Sequence, residues 1–332
     1  MQPLLSIGIT SYKRVNELIR CINSIQTKYA DQIEILISED CSPLSKEIKA
    51  AVETIQKESP YIIRFTTNEH NLGYDMNLGA IIQKCSGQYI FLMSDDDAVY
   101  DGALDQIIPF LHQSDGDNGV LYAPFVYSSS NSKDRNHGHT DFDIEKGEAS
   151  ASKYIYDSIL FSGLIFRKEY VEGLDSSRFK NYNYFQVYMF LKMLYHYGGH
   201  YFAHPSVLCV GDGENAYGIS ESSGGNELLA HRESVKSILE FNKTLIKVIR
   251  LFDEEEHTHV FDSFEKQYSL HAYSPMSIAR KCGRTYFKEY WMMLNSLDIK
   301  LYPITKIYYW MLLFLGTDIS NRLTGGFRKL LK

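Results

Sequence analysis

The sequence contains no CxxC pair. Its five cysteines, Cys21, Cys41, Cys85, Cys209 and Cys282, are odd in number and widely spaced, which argues against a disulfide framework and for a reducing compartment. A GxGxxG turn is also missing: the first strand-like run, LLSIGIT from Leu4, leads straight into TSYKR, which argues against hydride transfer on a dinucleotide-binding sheet. The Gly-rich, Arg-bearing loop typical of nucleotidyltransferases is absent from the same place. Positive charge is in deficit, and a formal net charge of −7 argues against a general nucleic-acid binder. No apolar run reaches the about 20 residues of a spanning helix; the longest is IYYWMLLFLG from Ile307. The opening MQPLLSIGITSYKR has neither a basic n-region nor a small-residue cleavage site, so the expected location is cytoplasmic. No internal repeat is visible.

What is present is ordinary globular material. Hydrophobic residues make up 44% and charged residues 23% of the 332 positions, enough for one large or two modest domains and against disorder. From Leu4 to about Tyr127 strand-like and helix-like segments alternate. The strands are LLSIGIT, IEILIS, YIIRFTT, YIFLMS and VLYAPFVYS, and VNELIRCINSI carries Val15, Leu18, Ile19, Ile22 and Ile25 at helical spacing. This pattern predicts an α/β fold with a largely parallel sheet covered on both faces. Ligands of such sheets bind beyond the carboxyl ends of the strands, where Thr10–Arg14, Glu39–Asp40 and Asp95–Asp97 all fall.

The stretch from Ser128 to Ser150 is polar and aperiodic and reads as a long loop, in which His137 and His139 read as a solvated pair rather than metal ligands. A strand GLIFRK, a helix YFQVYMFLKMLYHY and a strand HYFAHPSVLCV follow, then a second loop, GDGENAYGISESSGGNE, and helices from about Leu228. From Lys300 onward six Lys/Arg stand against one acid, Asp318, so the end of the chain is basic while the rest is acidic.

The run Asp95, Asp96, Asp97 behind the buried strand YIFLMS is the most pointed feature. A helix cap needs only one Asp, worth about 1 kcal/mol. Two like charges about 4 Å apart repel by about 4 kcal/mol at an effective dielectric near 20. Either the run is a solvated turn, or a cation at a solvent-facing site beyond the strand compensates it.

In order and spacing, SIGITSYKR, EILISEDCS, NLGYDMNLGAIIQKCSGQYIFLMSDDD and GLIFRKE resemble the family 2 glycosyltransferases of the GT-A fold, most of all bacterial enzymes that assemble O-antigen, capsule or related surface polysaccharides. The resemblance covers about Leu4 to Val210. It implies a catalytic domain over 1–215, with a nucleotide-sugar half at about 1–127 and an acceptor half at about 150–215. A helical region, 216–332, would then contact a membrane or a sister subunit. The implied partners are a nucleotide-diphosphate sugar donor and a glycan acceptor, often lipid-linked, with Mn²⁺ or Mg²⁺ between the carboxylates and the donor's pyrophosphate. By the same resemblance one early Asp of the run meets the ribose and a later one the metal. That pairs Asp95 with Asp97, the favoured ligand, or Asp95 with Asp96. Thr10 and Tyr12 would line the base pocket with Tyr12 stacked on the base. Glu39 would accept a hydrogen bond from the base, with Asp40 beside it. Arg14 would meet the pyrophosphate or pair with an acid, and Asn71, Asp75 and Asn77 would contact base or ribose.

One departure matters. Inverting members carry an acidic pair at the start of a helix after the acceptor strand, where this chain has Phe185 and Gln186, and Gln cannot act as a general base. Asp212 and Glu214 are the nearest substitutes. A retaining path would use the leaving phosphate as base, with Gln186 orienting a hydroxyl. A non-catalytic nucleotide-sugar binding subunit is the alternative reading. The tail from Tyr308 joins aromatic residues to Arg322, Arg328, Lys329 and Lys332, which suits peripheral membrane contact; packing of Trp310, Leu312 and Phe314 against the catalytic domain or a sister subunit is the competing use.

Overall fold

The computed structural model describes residues 2–114, 118–130, 132–210 and 227–330, with the backbone alone over 227–235 and 325–330. The chain divides into two compact units, Met1–Gly213 and Glu214–Lys332.

The first unit begins with strand–helix repeats: β1 (Leu5–Ser11), α1 (Val15–Ser24), β2 (Ile33–Glu39), α2 (Ser45–Gln56), β3 (Ile62–Thr67), α3 (Tyr74–Lys84) and β4 (Tyr89–Ser94). After the acidic run come β5 (Ala98–Val99), α4 (Ala103–Gln113), β6 (Val120–Tyr122) and β7 (Phe125–Tyr127). Then follow β8 (Lys133–Asp134), β9 (Phe142–Ile144), α5 (Glu148–Tyr154), β10 (Ile165–Arg167), α6 (Lys168–Val171), α7 (Phe185–His196), β11 (Gly199–Tyr201) and β12 (Val207–Cys209).

Eight strands form the main sheet in the order β3-β2-β1-β4-β10-β6-β11-β9. The first four are parallel; β10 is antiparallel to β4 and β6, β11 is parallel to β6, and β9 is antiparallel to β11. Six of these eight strands therefore share one direction, with β10 and β9 opposed. On one face Leu5, Ile7, Ile9, Ile35, Ile37, Phe91 and Met93 pack with Leu18, Ile22, Ile48, Val52, Leu104 and Ile107, all buried. On the other, α3 lies so close to β1 that a Cβ on Gly8 would meet the Ile81 side chain at 2.4 Å. Here the glycine is what lets helix and sheet approach.

The strand order matches the expected α/β architecture with a largely parallel sheet, and three segments differ locally from expectation. The segment VLYAPFVYS is two strands, because Pro124 offers no N–H to a ladder: β6 stays in the main sheet and β7 joins a second sheet, ordered β5-β12-β7-β8. The segment HYFAHPSVLCV divides likewise into β11 and β12 around Pro205. The stretch 128–150 is not one bare loop: it supplies β8 and β9, pairs Phe142 with Tyr201, and turns inward at Arg135, which is 5% exposed. His137 stays exposed, as expected, but its ring also lies against Tyr122, Tyr154 and Tyr201.

The second unit holds α8 (Glu227–Glu256), α9 (Val260–His271), α10 (Tyr273–Lys281), α11 (Arg284–Asn295) and α12 (Pro303–Leu330). Phe252, Phe264, Met276, Phe287, Tyr290 and Leu294 form its core. α12 is interrupted at Gly316, whose φ is +75°. Of the tail residues Leu312 is buried, whereas Trp310 and Phe314 are 54% and 72% exposed. Among the described residues no helix is long and apolar enough to cross a membrane.

Candidate active site

Register sets the site. Thr10 lies opposite both Ser38 and Ser94, so the chain leaving β1, β2 and β4 emerges side by side as Tyr12–Arg14, Glu39–Asp40 and Asp95–Asp97. Asp95 Oδ1 accepts from Arg14 Nη1 at 2.8 Å and its Oδ2 from the Tyr12 backbone N–H at 3.0 Å. The same Arg14 nitrogen lies 3.1 Å from Asp96 Oδ2, Arg20 donates to the Asp96 carbonyl at 2.7 Å, and the Ser94 hydroxyl bonds the Asp96 carboxylate. Asp97 Oδ2 accepts from the Ser162 hydroxyl at 2.6 Å, and Ser162 Oγ accepts the Ser94 backbone N–H at 3.1 Å. The Cys209 thiol lies next to the Asp97 carboxylate.

The expectation of a solvent-facing acidic run is corrected here: Asp95 and Asp97 are only 2% and 3% exposed. Helix α1 covers the run through Arg14 and Arg20, and Ser162 and Cys209 close it from the other side. Burial pushes the Asp95 carboxyl up to about 7 even against the pull of Arg14, and raises Asp97 too, with Asp96 adding to it. Burial pulls the Arg14 guanidinium down, but Asp95 and Asp96 outweigh it and hold it above its ordinary value. Burial next to Asp97 lifts the Cys209 thiol to about 12.

The nucleotide side has a different character. Tyr12 is 38% exposed, with the Lys13 ammonium 5.1 Å from its ring centre. Glu39 is fully buried; its Oε1 accepts from the Ser42 N–H at 2.8 Å, while Oε2 meets no hydrogen-bond partner among the described residues. Asp40 faces inward. It accepts from the Asn68 side chain and from the backbone N–H groups of Leu72 and Gly73, all within 2.9 Å, and so shapes the Asn-Leu-Gly turn. Asn71 stays at the surface, its side chain accepting the Gly73 N–H. Gly73 adopts φ +79°, a conformation that needs glycine.

Asn77 is bonded to Ser38 and Asn68, and Asp75 receives the backbone N–H groups of Tyr182, Asn183, Tyr184 and Phe185. Both are 3% exposed or less, so the structure places these two inside the wall rather than in the cleft. Gln186, at the start of α7, accepts from the Tyr74 hydroxyl at 3.0 Å and donates to the carbonyls of Ile159 and Ser158. Asp212 and Glu214 lie outside the described residues.

Residues 6–174, half of the chain, match the model of Glycosyl transferase family 2. The chain belongs to that family. A 106-residue stretch of this glycosyltransferase is 29% identical to the GalNAc(5)-diNAcBac-PP-undecaprenol beta-1,3-glucosyltransferase of Campylobacter jejuni subsp. jejuni serotype O:2, spanning 32% of this chain and about a third, 34%, of that relative. Among solved structures, residues 1–349 of S. aureus TarS in complex with UDP give a TM-score of 0.52 at 12% identity, covering 94% of this chain and 91% of that one. The same fragment with UDP-GlcNAc gives 0.51 at 11% identity with the same coverage. At these identities the structural likeness shows the fold alone.

Arg20, Ser162 and Cys209 escaped the sequence reading of this family 2 glycosyltransferase. Arg20 lies six positions after Arg14 on α1, and Ser162 just precedes the quoted GLIFRKE; neither carries a motif of its own. Their roles arise from the meeting of α1, β12 and the segment before β10 at the end of β4.

Proposed function

We propose that the enzyme transfers a sugar from a nucleotide-diphosphate donor to a lipid-linked glycan acceptor in the assembly of a bacterial surface polysaccharide, with Asp95 and Asp97 as the seat of a divalent cation. One observation carries this reading: three carboxylates end β4 beside Tyr12 and Glu39, at the carboxyl edge of the parallel strands, where α/β sheets bind their ligands. The lipid-linked acceptor and the glycan pathway rest on the Campylobacter relative's name.

The donor set suits Mg²⁺ or Mn²⁺, since it consists of hard carboxylate oxygens. No group of three or more His, Cys, Asp or Glu converges among the described residues, so phosphate oxygens of the donor would complete the shell. A carboxyl lifted to about 7 beside one guanidinium is one that a second cation would stabilise. When bound, the ion supplies charge stabilisation to the departing diphosphate. The chain's own residues do the rest. Tyr12 offers a ring face for the base, Glu39 Oε2 is a spare acceptor for a base N–H, and Thr10 lies on β1 opposite Ser38, one residue before the position that faces Glu39. Asp96 and Arg14 border the phosphates. Asp40, Asn68, Asp75 and Asn77 hold the wall that shapes the pocket, and Asn71 lies at its rim.

The direct test is nucleotide release from UDP-glucose, UDP-GlcNAc, GDP-mannose and dTDP-glucose with Mn²⁺. Activity should vanish in EDTA and return with Mn²⁺ or Mg²⁺; full activity in EDTA would remove the cation from the proposal. Glu39→Gln replaces a charged acceptor with a neutral one and should raise the donor KM about tenfold with kcat nearly unchanged. An unchanged KM would take Glu39 out of base recognition.

The C-terminal helix gives the lipid-linked acceptor a physical counterpart. Ile307, Trp310 and Phe314 are exposed at helical spacing, Trp310 stacks on Phe314, and the exposed Lys306 and Arg322 flank them. Aromatic burial with attraction of about 1 kcal/mol per basic residue suits reversible attachment to the cytoplasmic face of an anionic membrane, in place of a sister subunit. The protein should co-sediment with phosphatidylglycerol vesicles in low salt, and the Trp310→Ser/Phe314→Ser pair should weaken this at least tenfold. Equal sedimentation of both forms, or of neither, would leave homo-oligomer contact as the use of this face.

A further inference from the structure

The structure lacks a carboxylate where inverting members of the family carry their base, and a different acid–base pair stands on the acceptor half. Asp157 is 7% exposed. It accepts from His137 Nε2 at 2.5 Å and from the Tyr122 hydroxyl at 3.0 Å. The His137 backbone N–H donates to the Tyr201 hydroxyl at 3.0 Å, and Tyr154 and Tyr201 hold the imidazole edge-on at ring-centre distances of 5.1 and 5.2 Å. The imidazole is thus fixed in place and orientation. Its side chain is nonetheless 29% exposed, and Nδ1 meets no hydrogen-bond partner among the described residues.

The pair's position is as informative as its geometry. Tyr122 and Tyr201 are the last residues of β6 and β11, which run in the same direction as β4. The two strands whose tyrosine side chains hold His137 therefore end at the sheet edge that carries Asp95–Asp97, on the acceptor half. Two ties connect it to the elements already described. Arg135, two residues before His137, donates to the carbonyls of Leu160 and Ser162, at 2.6 and 2.9 Å, and Ser162 holds Asp97. On the other side, Gln186 bonds the carbonyls of Ser158 and Ile159, directly after Asp157.

We infer that His137, oriented by Asp157, is the base that activates the acceptor hydroxyl; this rests on the glycosyl-transfer reading above. A carboxylate that takes the proton of one ring nitrogen leaves the lone pair of the other for the substrate, the arrangement by which a buried acid makes a histidine a directed base. His137 Nδ1 receives the hydroxyl proton while the acceptor oxygen bonds the anomeric carbon. The bond from that carbon to the diphosphate oxygen breaks, its electron pair leaving on the nucleoside diphosphate. Asp157 balances the imidazolium, which later returns its proton to water. Attack by an activated hydroxyl opposite the leaving group inverts the anomeric centre.

The test uses the full chain with Mn²⁺, the donor from the panel above that it turns over fastest, and a polyprenyl-diphosphate oligosaccharide as acceptor. His137→Gln should lower kcat at least a hundredfold, with donor KM and melting temperature unchanged. His137→Gly should regain activity with added imidazole but not with thiazole, which has the same shape without the basicity; a purely structural histidine would not make that distinction. Asp157, a positioning residue, should lose less than His137 on conversion to Asn. The wild-type product, which needs no variant, should show an inverted anomeric configuration by NMR. Turnover of His137→Gln within threefold of wild type, or a retained configuration, overturns the inference while the transferase reading stands. Absence of any nucleotide release by the wild type overturns both.

Discussion

Asp95→Asn is expected to cut turnover about a hundredfold or more while leaving the metal-free protein at least as stable at pH 8 as the wild type. The two effects have one origin. Burial lifts the Asp95 carboxyl to about 7, more than Arg14 and the Tyr12 N–H lower it. A folded-state value above the unfolded one means that the folded protein binds this proton more tightly. The stability that this group contributes is therefore fully present below pH 4 and is lost as pH rises through about 7. An isosteric amide removes the cost of ionisation, keeps the size, and still accepts one of the two bonds. It cannot supply charge to a cation, and that is where activity is lost. Turnover of the wild type should correspondingly rise with pH up to about 7 and level off above it, with saturating Mn²⁺ moving the midpoint to lower pH. Melting curves at pH 5 and 8 together with pH–rate profiles check both halves. An Asp95→Asn protein that melts well below wild type at pH 8, or that keeps a third of its turnover, would contradict the account.

Much of this site was legible because the relevant signals are local. A short apolar run followed by Asp95–Asp97 marks a strand and its carboxyl end wherever the chain goes next, and the parallel alternation brings the ends of β1, β2 and β4 to one edge. The boundaries of β1, β2 and β4 follow the apolar runs closely for that reason. What was not legible depends on partners far away in sequence. Asp75 and Asn77 are polar residues at the start of a helix near the cleft, and nothing local says that they turn inward; the 182–185 backbone and Ser38 decide it. His137 sits in a polar stretch whose inward turn is made by Arg135 over the Phe125 ring and by β9 pairing with β11. The breaks at Pro124 and Pro205 carry a sequence signal, the missing N–H, but not the information that the chain changes sheet there.

The largest effect on stability is expected at Asp75, a residue that the family resemblance had placed against the donor. Its Oδ2 accepts the N–H groups of Tyr182 and Asn183 at 3.0 and 2.8 Å, and its Oδ1 those of Tyr184 and Phe185, each at 3.0 Å. One carboxylate thereby closes the turn in which Asn181 and Asn183 take positive φ, and it fixes the start of α7. Asp75→Ala leaves four donors without their acceptor in a region where Asp75 itself is 1% exposed. Each such orphaned group costs about 1–3 kcal/mol. With partial relaxation toward water, a loss of about 4–6 kcal/mol is expected. For a unit of this size that lowers the melting temperature by roughly 10–20 °C. Asp75→Asn keeps one accepting oxygen and should lose about half as much. Tyr74→Phe removes a single neutral bond to Gln186 and should cost about 1 kcal/mol. Hydrogen exchange locates the effect, since the amides of 182–185 should lose protection first in both Asp75 variants. Because α7 begins where Gln186 meets the backbone beside Asp157, turnover should fall along with stability in Asp75→Ala. A variant that loses less than 1 kcal/mol, or whose 182–185 amides stay protected, would show that the turn holds itself without the carboxylate.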